Sequence, residues 1–256
     1  MSKLIGIVGG LGPKAGESLH AKILSNTRAV GDADHLPILL YTNPGVPDRG
    51  DFIFGEGDEN PAYEILRSLQ LLMQAGAEVL CVPCNTAHAP VIWDVVEEGF
   101  RQITTGAELL HLIQVVTDHV VHRHPNVANV GILGTCGTLQ TGVYQSALSL
   151  HNIRSIAPSD AAQRGVQNAI YHPDWGIKAR STPVSEEARG ALQAGALRMI
   201  ADGAQAVILG CTEVPLAFTE PDLKGIPLID STAVLARECI RRAAGEEKLV
   251  SLPRHH

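Results

Sequence analysis

Short runs of apolar residues recur along the chain, separated by longer stretches in which apolar and polar residues alternate with a helical spacing. "KLIGIVGG" opens the series and is followed by "PKAGESLHAKILSNTRAV", where Pro13 marks a helix start. "LPILLYT" comes next, then a polar loop, "NPGVPDRGDFIFGEGDEN". In "PAYEILRSLQLLMQAG" the residues Ile65, Leu69 and Leu72 fall on one helical face and predict a core-facing helix. It leads into the apolar run "AEVLCVP". Later come "NVGILGT", a helix from about Ser185 to Ala201, "AQAVILG", and "IPLID" before a closing helix. This alternation predicts an α/β fold of parallel sheets covered by helices.

The pattern also repeats. "GIVGGLGP" begins at Gly6 and "GILGTCGT" at Gly131. Gly76-Ala77 and Gly203-Ala204 each lead into an apolar strand that ends in a cysteine eight residues after the glycine, Cys84 and Cys211. Two matches at nearly one offset predict a duplicated half. Residues 1–108 with 226–256 are expected to form the first α/β domain, carrying Cys84, and residues 109–225 the second, carrying Cys211. Ligands of open parallel sheets sit beyond the carboxyl ends of the strands, so a cleft between the halves would present both thiols to one ligand.

Composition narrows the partners. The 256 residues are 45% apolar and 18% charged, those of a soluble globular protein, and no apolar run approaches the ~20 residues of a membrane span. Net charge is −7 with no basic stripe, which argues against nucleic acid; the terminal Arg-His-His is too short to change that. "HRH" at His122–His124 reads as a solvated helix end. The start lacks the pattern of a signal peptide, and five cysteines are an odd number, so reduced thiols in the cytoplasm are expected.

Several chemistries compete for the thiols. "CVPC" has redox spacing, but Cys81 lies inside a strand and should face the core. Cys81, Cys84 and His88 could be drafted for zinc, yet no second ligand pair stands out, so no metal is expected. "GGLGPKA" fits a relaxed dinucleotide pattern, but the next strand ends in Thr42 and Asn43 without the acid that holds a ribose. Most of the six lysines lie in terminal or surface-like contexts, which does not suggest pyridoxal chemistry. No cofactor is expected. Two opposed thiols fit inversion of a carbon centre, where one removes a proton and the other returns it. "CNTAH" and "CTEVP" would place each thiol at a helix N-terminus, favouring thiolate.

"GIVGGLGP", "DADHLP", "NPGVPDR", "PCNTAH", "GILGTCGT", "GVYQ", "IKA", "GCTEVPL" and "PLID" together resemble the cofactor-independent aspartate/glutamate racemase family, most closely its aspartate racemase branch. The resemblance spans nearly the whole chain. It implies two pseudosymmetric Rossmann-like domains with the active site between them, and an acidic amino acid as substrate. Cys84 and Cys211 match the catalytic cysteines, the first serving the D-enantiomer and the second the L-enantiomer. Asn85, Thr86 and Thr212 match positions that hold the α-carboxylate and amino group, and Thr135 and Thr138 a further carboxylate-binding loop. Arg49 and Lys178 match the basic residues for the side-chain carboxylate; a bidentate guanidinium suits that role.

Two departures stand out. Cys136 stands where many relatives carry a hydroxyl residue, and the segment "YHPDWG" before Lys178 contains a bulky Trp175; a remodelled loop there would keep Lys178 from the substrate and weaken aspartate specificity. Racemisation of aspartate is therefore the expected activity. Action on glutamate, a hydantoin or another small carboxylic acid is the alternative within the family, and a Cys81–Cys84 redox protein the alternative outside it. The sequence leaves the oligomeric state open, a homodimer among the candidates.

Overall fold

The computed structural model describes residues 2–104 and 106–251; the terminal Arg-His-His run lies outside the described residues. The first sheet takes β1 (Ile5–Gly9), β2 (Ile38–Thr42), β3 (Val79–Cys81) and β4 (Glu108–Leu110) in the order β2-β1-β3-β4, all parallel. Its helices are α1 (Pro13–Asn26), α2 (Arg49–Phe54), α3 (Ala62–Gln74), α4 (Pro90–Ile103) and α5 (Leu112–Arg123). The polar loop after β2 is thus not wholly irregular: Asp48 accepts from the Gly50 and Asp51 amides and starts α2.

The second sheet takes β5 (Asn129–Gly134), β6 (Arg154–Ile156), β7 (Ala206–Gly210), β8 (Asp222–Leu223) and β9 (Ile226–Asp230) in the order β6-β5-β7-β9-β8, with β8 alone antiparallel. Its helices are α6 (Cys136–Gln140), α7 (Val143–Ser149), α8 (Asp160–Tyr171) and α9 (Glu186–Ala201), and the closing helix is α10 (Ser231–Ala244). The orders β2-β1-β3-β4 and β6-β5-β7-β9 correspond strand for strand, as the sequence repeat requires. The expected bounds are corrected at two places: β4 runs across the expected boundary at residue 108 and pairs with β3, so Leu109 and Leu110 belong to the first sheet. Strand Ile226–Asp230, expected with the first half, pairs with β7 and lies in the second sheet, because its apolar Leu228 and Ile229 register against Val207 and Ile208. The helix it leads into, α10, packs on α1, α5 and β3 of the first half.

Burial follows the predicted faces. Ile65, Leu69 and Leu72 of α3 are fully or almost fully buried against Val8, Leu80 and Val82. Leu192, Ala196 and Met199 of α9 cover the opposite sheet with Val207 and Leu209. Cys81 is buried as its strand position predicts, its Sγ 3.7 Å from both the Gly6 carbonyl oxygen and the Cys239 Sγ.

The turn after β1 is held by close backbone approach. Gly10 has φ +98°, and a Cβ there would stand 2.2 Å from the Asn43 carbonyl oxygen. Gly10→Ala therefore combines a left-handed backbone with an overlap against main chain. A stability loss of about 3 kcal/mol is expected from the urea-unfolding midpoint. An unchanged midpoint would show that the Asn43 turn yields without cost.

Candidate active site

Parallel strands deliver the site. Gly134 of β5 and Gly210 of β7 are register partners, so Thr135 and Cys211 leave the sheet at the same level. Cys84 follows β3 by three residues, and Leu11 follows β1. These four line one small cavity with Arg49, Asn85, Thr86, Tyr171, Lys178, Thr212 and Glu213, with about 10 Å³ of room. That is space for roughly one water. All of the expected site residues except Thr138 line it. Thr138 is fully buried immediately behind.

Cys84 and Cys211 are 6% and 7% exposed. Neither stands at the start of an α-helix, as the sequence suggested. Each precedes a short 3₁₀ turn, Thr86–His88 and Val214–Ala217, which is too short to contribute a helix macrodipole. Any support for a thiolate would come from side chains instead, and the two cysteines have different neighbours. Arg49, 7% exposed, lies against Cys84 and donates to the Pro47 carbonyl oxygen. Burial works against its charge, but its neighbours Cys84, Asp48 and Tyr171 together outweigh that and hold its pKa above the ordinary value. Cys211 instead donates to Glu213 Oε2 at 3.0 Å. Burial and the Glu213 charge push the Cys211 thiol well up, with Lys178 acting in the opposite sense.

Lys178 reaches the cavity. Its backbone folds onto the end of α8 through Ile177 N–H to Ala169 O and Lys178 N–H to Ile170 O. Trp175 stacks on His172 at 4.5 Å and accepts at its carbonyl from Ser185 Oγ, so it braces this loop and leaves the cavity free. The Lys178 ammonium lies 3.6 Å from Glu213 Oε1 and 5.0 Å from the centre of the Tyr171 ring. Burial works against its charge, yet Glu213 and Cys211 together raise its pKa. Cys136 begins α6 with its sulfur 3.7 Å from Gln163 Nε2 and does not line the cavity.

Three hydroxyls join the halves. Thr86, Thr135 and Thr138 form a ring with Oγ1 separations of 3.2, 3.0 and 3.1 Å. Asn85 accepts from Tyr144 at 2.5 Å and donates to Ser231 at 3.5 Å, and Ser231 donates to the Leu209 carbonyl. Tyr144, Tyr171 and Glu213 were not singled out from sequence. Glu213 had a signal, since it follows Cys211 in "GCTE". Tyr171 opens the "YHPDWG" segment. Beyond Arg49, Lys178 and Glu213 the cavity adjoins a groove of about 910 Å³, lined also by Lys14, Pro44, Val46 and Ile177.

The profile of the Asp/Glu/Hydantoin racemase family matches residues 8–239. The aspartate racemase of Picrophilus torridus superimposes with a TM-score of 0.76 at 30% identity, covering 94% of each chain. The broad-specificity amino-acid racemase RacX of Bacillus subtilis is 25% identical over 241 residues, 93% of this chain and 96% of the relative. A glutamate racemase of Pseudomonas putida F1 is 28% identical over 222 residues, 83% of this chain and 74% of the relative.

His88 fixes the turn that carries Cys84. Its Nε2 accepts from the Leu112 amide at 3.1 Å, so Nδ1 carries the proton and donates to the Cys84 carbonyl at 2.8 Å. The ring is 2% exposed and stacked on Trp93. Burial, reinforced by His111, depresses its pKa well below the ordinary 6.5. The unfolded chain thus takes up a proton below about pH 6.5 that the fold refuses, so this stability is complete above that pH and lost as pH falls. His88→Gln should flatten the fall in unfolding free energy between pH 6 and 5 by about 1.4 kcal/mol per pH unit relative to wild type. Equal slopes in urea titrations of the two proteins would show that His88 charges within the fold.

Proposed function

This chain belongs to the Asp/Glu/hydantoin racemase family, and we propose that its own reaction is the interconversion of L- and D-aspartate by two cysteines acting from opposite faces of the α-carbon. The carrying observation is that Cys84 and Cys211, each from its own sheet, line one cavity together with Arg49 and Lys178. Cys84 takes the α-proton of the D-enantiomer and Cys211 that of the L-enantiomer; the opposite thiol returns a proton to the other face. The hydroxyls of Thr86 and Thr135, supported by Thr138, and the Asn85 and Thr212 side chains hold the α-carboxylate and amino group. Arg49 and Lys178 hold the distal carboxylate. No step calls for a redox change or an electron sink. Reduced thiols are required throughout, which suits a cytoplasmic protein. The Cys81–Cys84 redox reading loses support because the Cys81 sulfur faces Cys239 and the Gly6 carbonyl.

A second reading within the family is a wider choice of amino acids. The groove of about 910 Å³ beside Arg49 and Lys178, and the likeness to a broad-specificity racemase, favour it. Assaying D-product from each L-amino acid separates the two. Arg49→Leu should lower aspartate turnover at least tenfold more than it lowers turnover of neutral amino acids, because a charge-assisted contact is worth about 1.5–3 kcal/mol. Equal losses on charged and neutral substrates would make Arg49 structural.

Two separate bases leave an isotopic signature. In heavy water, starting from pure L-aspartate, early D-product should carry deuterium and recovered substrate almost none. Cys84→Ala and Cys211→Ala should each abolish racemisation, and the double variant should be little worse, because groups acting as a unit are non-additive. Substrate and product labelled in step, or a single variant near the wild-type rate, would sink the two-thiol reaction.

A further inference from the structure

Tyr171 ends α8, and between it and Lys178 the chain makes a closed turn whose two ends both line the cavity. The turn is tied to itself and to the helix it leaves. The Gly176 amide donates to the His172 carbonyl at 2.9 Å, and the Ile177 and Lys178 amides donate to the Ala169 and Ile170 carbonyls at 2.9 and 3.0 Å. Gly176 permits this approach, since a Cβ there would stand 2.5 Å from the His172 nitrogen and 2.6 Å from its carbonyl oxygen. Ile177 is fully buried in the core of the second half. Within "HPDWG", the stretch between Tyr171 and Ile177, Trp175 is the one large apolar side chain. Its ring stacks on His172 with centroids 4.5 Å apart and 21° between planes, and it packs against the same core as Ile177. Its carbonyl accepts from Ser185 Oγ at 2.7 Å, and that oxygen also accepts from the Ala188 amide and caps α9. The turn is thus fastened to α8 at its ends and to α9 in its middle. Trp175 itself lines neither the cavity nor the groove.

We propose that Trp175 positions Lys178 and thereby sets the preference of the site for a substrate with a distal carboxylate. This rests on the reading above that Lys178 holds that carboxylate. Lysine carries its charge at the end of a flexible four-carbon stem, so the ammonium has a fixed place only if backbone and head are both held. The Tyr171 ring, 5.0 Å from the ammonium, and Glu213 Oε1 at 3.6 Å hold the head. The turn holds the backbone. Without Trp175 the turn would keep its main-chain hydrogen bonds but lose the stacked ring and the apolar contact that fasten it to the core. An ammonium already in place loses less freedom when a ligand arrives, and that advantage goes to ligands with a carboxylate to meet it. Ligands without one gain nothing. Trp175 touches no reacting atom and acts through Lys178 as a positioning residue, so it governs selectivity and not the proton transfers.

The test is a double-mutant cycle on the binding of succinate, a dicarboxylate with no stereocentre to invert. Dissociation constants of wild type, Trp175→Ala, Trp175→Phe, Lys178→Met and the W175A/K178M double variant are measured by titration calorimetry. W175A should weaken succinate binding on the order of tenfold, while W175F, which keeps a stacked ring, stays within about threefold of wild type. In the K178M background W175A should cost nothing further, because residues acting through one contact are non-additive. Amide hydrogen exchange at Ile177 and Lys178 should quicken in W175A and not in W175F, a readout that needs no ligand. His172→Ala removes the other face of the stack and should reproduce both effects; in the same cycle it decides the matter if W175A does not fold. An equal loss with and without Lys178, or a W175A protein that binds succinate as wild type does, would overturn the proposal. Coupled succinate binding without racemisation of aspartate would refute the proposed function and not this role. Racemisation of aspartate with an additive cycle would refute this role and not the function.

Discussion

Parallel pairing brings the ends of neighbouring strands to one edge of a sheet, and here that edge carries nearly every polar group of the site. Two sheets built to the same strand order each contribute such an edge. From the first come Leu11, Cys84, Asn85 and Thr86; from the second come Thr135, Cys211, Thr212 and Glu213. A chain just leaving a strand is still held by the ladder behind it, so these side chains start from fixed backbone rather than from mobile loops. Arg49 and Lys178 come from elsewhere. Each is brought in by a short structured piece: the Asp48-capped helix for Arg49, and the turn folded on the end of α8 for Lys178.

The buried polar groups at this junction are partnered across it. The hydroxyl ring takes one member from the first half and two from the second. Asn85 of the first half is tied to Tyr144 and Ser231 of the second part of the chain, and Ser231 in turn to the strand that ends at Gly210. Buried polar groups without partners are costly, so these links favour one relative placement of the halves. Hydroxyls also suit a site that must change occupants. Each can turn its proton from a neighbouring oxygen to an arriving carboxylate without moving its heavy atom.

Most of this architecture was legible in the sequence because it rests on local rules. Apolar runs and helical spacing gave the strands and the α3 face, and the paired glycine-strand-cysteine strings gave the repeat. Strand β9 was harder. Its sheet is decided by which apolar neighbours it registers against, and a five-residue run carries no mark of that. The α2 turn was hidden in a polar loop because its cap, Asp48, looked like one more loop acid. Motif positions located Cys84, Cys211, Arg49 and Lys178. They could not show what each thiol touches. Arg49 beside one sulfur and Glu213 beside the other is a fact of tertiary packing, invisible to spacing.

That inequality of partners has a thermodynamic reading. The two enantiomers have equal free energy in water, so any catalyst of their exchange must show equal kcat/KM in the two directions, however lopsided its groups are. A cation beside one sulfur and a carboxylate beside the other cannot tilt the product ratio. What they set is how the free protein divides itself between the form ready for one hand and the form ready for the other. A duplicated fold can thus drift far from symmetry at its centre while the balance it maintains stays at one to one.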